Sequence, residues 1–211
     1  MEFLRVTITS WMSSFRYPKF QVGYQPSLPV PPPSTILGLL SAAKGEIVNP
    51  QDISFGYLFF HQLKGIDIEK VYELGRKTIK TNILRREILY NCNLYVYIDD
   101  FNFAEFFRRP YYQLLLGRST DLAQVHQIKR VQLDEKKGVT LGHTPLPLEL
   151  NIPGIVQLLP ISISASIPRK IEKMKPFVLA TGFYSTCHEA YYDSEKEWGI
   201  WIHEKNTPGK A

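Results

Sequence analysis

Cysteine is nearly absent: only Cys92 and Cys187 occur in 211 residues, far apart and in no C-x-x-C pair. That excludes a disulfide framework and a cysteine-based zinc site. Long hydrophobic runs are missing too. Stretches such as Ile36 to Leu40 fall far short of the roughly 20 residues that cross a bilayer, so no membrane contact is expected. The opening Met1-Glu2-Phe3-Leu4-Arg5 has no basic n-region followed by an apolar stretch. No secretory leader is therefore expected, and a cytosolic (cytoplasmic) location is. Catalytic signatures are equally scarce. His61, His126, His143, His188 and His203 are scattered, with no H-x-x-x-H or H-E-x-x-H, so neither a metal site nor a cofactor is expected. The absence of G-x-S-x-G and of G-x-x-x-x-G-K-[ST] removes acyl transfer and nucleotide hydrolysis by those motifs. A metal-free ribonuclease needs only a His or Lys base, an acid and a charge stabiliser. Distant residues can assemble such a set, and that alternative stays open.

What is present is a globular composition: 44% hydrophobic and 21% charged residues support a proper core. Aromatics reach 13%, and 25 Lys and Arg against 20 Asp and Glu leave a net charge of +5. So small an excess favours an acidic partner only where it is clustered.

Leu4, Val6 and Ile8 alternate with Arg5, Thr7 and Thr9, the period of a half-buried strand. Residues 11 to 33 carry six prolines and form a long irregular stretch; loops of that length in compact domains are usually functional. Ser34 is the expected N-cap of a helix over 35–44, with Gly45 as its stop and Gly38 marking close approach of a neighbour. Strands are predicted over 53–63, 88–98 and 124–133, and a short helix over 101–108. In 88–98, Ile88, Tyr90, Cys92, Leu94, Val96 and Ile98 should share a face. The order strand, helix, strand, strand, helix, strand is the split βαβ, ferredoxin-like pattern of an α+β domain spanning 1–133. Between the middle strands, residues 64–86 form an excursion with seven cations against three carboxylates, or +4. Residues 134–211 form a smaller β-rich extension.

Three stretches could carry chemistry. The 11–35 loop interleaves Trp11, Phe15, Arg16, Tyr17 and Lys19, rings to stack on unpaired bases and cations to meet phosphates. Ser34 and Thr35 open a helix whose free N–H groups could take a phosphate. The plainer alternative is a loop folded over the sheet with its rings as plugs. The second stretch is Gly117-Arg118-Ser119-Thr120-Asp121, where glycine admits a backbone and arginine and serine donate; alternatively it is a tight turn with Arg118 paired to Asp121. The third is the basic excursion with Arg85 and Arg86, either a nucleic-acid arm or a solvated hairpin.

Phe15-Arg16-Tyr17-Pro18 and Leu28-Pro29-Val30-Pro31-Pro32-Pro33-Ser34-Thr35-Ile36-Leu37-Gly38-Leu39-Leu40 together resemble the N-terminal signature of CRISPR-associated family five. This is a RAMP-superfamily subunit of type I Cascade complexes. Arg86-Glu87-Ile88-Leu89-Tyr90 and Leu116-Gly117-Arg118-Ser119-Thr120-Asp121-Leu122-Ala123 support the resemblance, which is greatest to the subtype I-B (Tneap/Hmari) branch. The resemblance implies an RRM-like ferredoxin domain with a protruding β-hairpin thumb, matching the 64–86 excursion. It implies a non-catalytic subunit that grips the repeat-derived 5′ handle of crRNA and contacts the backbone and large subunits in antiviral defence. Whether target DNA is also touched is left open. Subtype I-C relatives cleave the precursor RNA themselves with a Tyr, Lys and His set, which makes a pre-crRNA endoribonuclease the alternative. Under the first reading Arg16, Lys19 and Arg118 contact phosphates, and Trp11, Phe15 and Tyr17 stack or shape the pocket. Ser34, Thr35 and Ser119 donate, Arg85 and Arg86 guide RNA at the thumb base, and Gly117 admits the backbone.

Overall fold

The computed structural model describes residues 1–17, 23–74, 78–164 and 166–205. Its chain order begins with strand β1 (Glu2–Ser13), the short β2 (Tyr24–Gln25) and helix α1 (Pro33–Lys44). Strands β3 (Phe55–Phe60), β4 (Leu63–Leu74) and β5 (Ile79–Ile98), helix α2 (Phe103–Arg108) and strand β6 (Ala123–Gln132) follow. The remainder is β7 (Asp134–Lys137), β8 (Thr140–Leu146), β9 (Ile155–Ile163), β10 (Ile171–Ser185), β11 (Glu189–Asp193), β12 (Trp198–Ile200) and β13 (Ile202–His203). It is an α+β molecule built mostly of antiparallel sheet. The main sheet runs β13-β3-β5-β1-β6, with β4 and β2 also hydrogen-bonded to β5. Smaller sheets run β8-β10-β9 and β12-β11-β7.

The alternation of β1 sorts the two faces of the main sheet. Leu4, Val6 and Ile8 join Tyr57, Leu94 and Val96 beneath Ile36, Leu40 and Ala43 of α1. Leu159 of β9 and Phe177 and Leu179 of β10 close the same core. The odd positions face the other way, where Phe3, Leu58 and Tyr97 pack with Ile200 and Ile202. Arg5 lies on that side and is almost fully buried, its guanidinium donating to Asp193 at 2.6 Å and to Glu195 at 2.8 Å.

Local departures from expectation have identifiable causes. Helix α1 starts at Pro33, with Pro32 in extended conformation as its N-cap and no side-chain cap, so Ser34 does not cap it. Proline suits the first helical position because its missing N–H would be unsatisfied there anyway. Gly45 ends the helix as expected, at φ 84°, and the Tyr111 ring lies where a side chain would go. Gly38, by contrast, is exposed and nothing lies within 4 Å of a Cβ placed there, so close packing does not explain it. In β5 the single shared face fails at Asn91, whose φ of 52° interrupts the alternation. Leu89, instead of Tyr90, joins Cys92 in the core.

His203 of β13 packs against Phe55, Tyr57 and Phe177 at ring-centre distances of 5.3, 5.8 and 5.9 Å. Burial, with Lys175 adding to it, lowers the imidazole pKa to about 4. The unfolded chain, with a histidine pKa of about 6.5, then binds a proton that the folded chain refuses. Stability should therefore fall as pH drops from about 6.5 towards 4, and the effect should level off below that. Thermal midpoints of the wild type and His203→Phe across this range check it: their difference should change within the window and stay flat above it.

Candidate nucleic-acid interface

Where β1 ends, the chain turns from Ser13 into a segment that bridges Arg16 to Ser27. Ser14, Phe15, Arg16, Pro32, Thr35, Arg86, Gly117 and Arg118 line one groove of about 270 Å³. The start of α1, the end of β1, the base of the β4–β5 hairpin and the Gly117 bend thus converge. Six of the twelve residues singled out by sequence meet there: Phe15, Arg16, Thr35, Arg86, Gly117 and Arg118.

Asp121, fully buried, organises the floor. It accepts from the backbone N–H of Ser14 at 3.2 Å and of Arg118 at 2.9 Å, and from the Arg118 guanidinium at 2.8 Å. Gly117 has φ 124°, and a Cβ on it would stand 2.8 Å from the Ser14 carbonyl oxygen, so glycine is required by both conformation and packing. Arg118 also pairs with Glu69 of β4, whose other oxygen accepts from Arg86 Nε at 2.8 Å. Burial works against the Arg118 charge, but Asp121 and Glu69 outweigh it and raise its pKa. Of the two readings of this stretch, the pairing of Arg118 with Asp121 is present, and its guanidinium ties the bend to the hairpin.

Arg16 is different. It is exposed, and among the described residues no carboxylate pairs with it. Arg85 is likewise exposed without a carboxylate partner, its backbone N–H donating to the Gly23 carbonyl at 2.9 Å. Phe15 is buried in the core, edge-on to Phe59 at 5.2 Å, so its ring serves packing and cannot stack on a base. Tyr17 is half-buried against the same core; burial and the Glu87 charge raise its phenol pKa. Trp11 is 69% exposed but outside the groove, on the sheet face opposite α1. Thr35 lines the groove, yet its backbone N–H is spent on the Pro32 carbonyl, and Pro32 and Pro33 have none to offer. The helix start therefore presents fewer donors than expected. Ser34 is half-buried and Ser119 exposed, both outside the lining, and Lys19 lies outside the described residues.

Glu87 is the anchor that sequence reasoning missed. Although burial opposes its charge, the Tyr24 hydroxyl, Lys64 and the Ser27 amide hold its carboxyl below the usual range. It fastens β2 and the following turn to β5. It also reduces the basic character expected of 64–86, since Lys64 pairs with it and Arg86 with Glu69. Arg76 and Lys77 lie outside the described residues. Among the described residues no three His, Cys, Asp or Glu side chains come together to hold a metal, and no helix is long and apolar enough to cross a membrane. Burial pushes the Cys92 thiol up to about 11.

No family model and no curated protein matches the sequence. Solved structures do. A chain of a CRISPR RNA-guided surveillance complex superposes with a TM-score of 0.58 over 90% of this chain and 92% of its own, at 16% identity. A chain of the Type III-B Cmr-beta complex bound to cognate target RNA and AMPPnP gives 0.60 over 86% of each, at 12% identity. The chain shares their fold. At such low identity the likeness speaks to architecture alone.

Proposed function

We propose that this protein is a non-catalytic RNA-binding subunit of a CRISPR surveillance complex, a family-five RAMP protein most like subtype I-B. In this reading the strand order β6-β1-β5-β3 with α1 and α2 is its ferredoxin-like, RRM-like domain, and the β4–β5 hairpin is its thumb. The observation that carries the proposal is the groove itself, where an arginine with no carboxylate partner among the described residues meets the helix start and a glycine bend at the hairpin base. A short single strand suits such a site, because its backbone can follow a cationic groove while its bases splay away. In this reading the groove holds the 5′ handle of crRNA, with Arg16 meeting phosphate; Arg85, opposite Ile68 across the hairpin, stands on the other face from groove-lining Arg86.

One face of the hairpin exposes Ile66, Ile68, Tyr72, Ile79 and Ile83. Cross-strand pairing puts these residues on the side away from Glu69 and Arg86. Lys70 and Arg85 stand on the same face, and an isoleucine-rich surface with charges between supports burial against the neighbouring backbone and large subunits of an assembly.

Fluorescence anisotropy with labelled single-stranded RNA carrying the repeat-derived handle of the nearest repeat array tests the reading. Arg16→Ala should weaken binding by about 1–3 kcal/mol and reduce the salt dependence by about one ion. Unchanged affinity and slope would remove the groove as the RNA site. Incubation of the protein with repeat RNA in EDTA tests the non-catalytic part, and cleavage at one position would favour a processing endoribonuclease instead.

A further inference from the structure

On the 64–86 excursion Lys64 and Arg86 are held in ion pairs, whereas a second hairpin carries cations that meet no carboxylate among the described residues. In β9–β10 and their connection, residues 155–176, Arg169, Lys170, Lys173 and Lys175 stand against the single carboxylate of Glu172. All four cations are exposed, and among the described residues none has a carboxylate partner. The base of this hairpin is fixed, because Leu159 and Phe177 are buried in the main core. Its outer part is not covered: Ile163 is 41% exposed, Ile171 50% and Ile167 97%. The connection is tied by the Ser164 N–H donating to the Lys170 carbonyl and the Lys170 N–H donating to Ser164 Oγ, at 2.8 and 2.9 Å.

We infer that this hairpin is a duplex-DNA contact, separate from the handle groove and independent of that assignment. Aliphatic side chains flanked by unpaired cations on a projecting two-stranded ribbon match the major groove of B-form DNA. That groove is about 12 Å wide, admits such a ribbon, and offers thymine methyl groups to apolar side chains and phosphates to cations. Residues 155–176 contain no aromatic side chain, which disfavours unpaired strands, since those are held by base stacking. The A-form major groove of duplex RNA is too narrow and deep for protein side chains to read.

The test is anisotropy of the whole protein with a labelled random-sequence DNA duplex across a salt series. The variant Arg169→Ala/Lys170→Ala/Lys173→Ala should weaken binding by about 10-fold or more and lower the logarithmic salt slope by about two to three. Its thermal midpoint should match the wild type, because the three side chains are exposed and unpaired. Arg16→Ala should leave duplex binding unchanged, which separates this site from the groove. Retention of both affinity and slope by the triple variant would overturn the inference. So would equal loss in Arg16→Ala, or a triple variant that loses single-stranded RNA binding as much as duplex binding.

Discussion

Replacing Asp193 by alanine should cost about 3–5 kcal/mol of folding stability, because it leaves a buried arginine without its counter-charge. Arg5 and Asp193 have side-chain exposures of 3% and 1%. Asp193 also accepts from the Tyr97 hydroxyl at 2.8 Å and from the Glu195 amide at 3.0 Å, and Trp198 donates to the Tyr97 oxygen at 2.9 Å. The carboxylate thus joins the β11–β12 turn to the middle of the main sheet. Glu195 meets the same guanidinium but is 46% exposed, so Glu195→Ala should cost far less than Asp193→Ala. Urea unfolding of both variants checks the contrast. Similar losses would mean that the buried pair has no special hold on the fold.

Asp121→Ala should have the second largest effect, and it should be read out twice. Removing the carboxylate strips acceptors from Ser14, from the Arg118 amide and from the Arg118 guanidinium at once. Breaking a buried charge pair of this kind costs about 3–5 kcal/mol. In RNA anisotropy, affinity should fall because the groove loses its floor, while the salt slope stays unchanged because no RNA-facing cation has been removed. Arg16→Ala should do the reverse, lowering the slope at unaltered stability. An Asp121→Ala protein that melts and binds RNA like the wild type would refute the role given to this carboxylate.

These carboxylates also mark where the sequence stopped being informative. The faces of β1 were legible because a two-residue period is local, and Gly45 was legible because a left-handed stop favours glycine. The convergence of Arg16, Thr35, Arg86, Gly117 and Arg118 was legible as chemistry, though only the folded chain brings them to one groove. Pairing was not legible. Arg118 meets Glu69 across 49 positions and Arg5 meets Asp193 across 188, so counting charges along a segment could not tell a neutralised cation from a free one. Ser34 misled for a subtler reason: it is a good cap by type, but the prolines before it had already started the helix. Phe15 looked like a stacking ring because its neighbours are cations, whereas the fold turns it inward.

Strand β5 runs unbroken for 20 residues, its outer half paired with β4 and its inner half with β1 and β3. Hairpin and main sheet therefore share one strand, with Asn91 where its two halves meet, and the Arg118–Glu69–Arg86 clasp braces it near its midpoint. The hairpin strand continues into the central hydrogen-bond ladder. A neighbour seated on the arm would thereby set the tilt of the whole sheet, and with it the mouth of the groove.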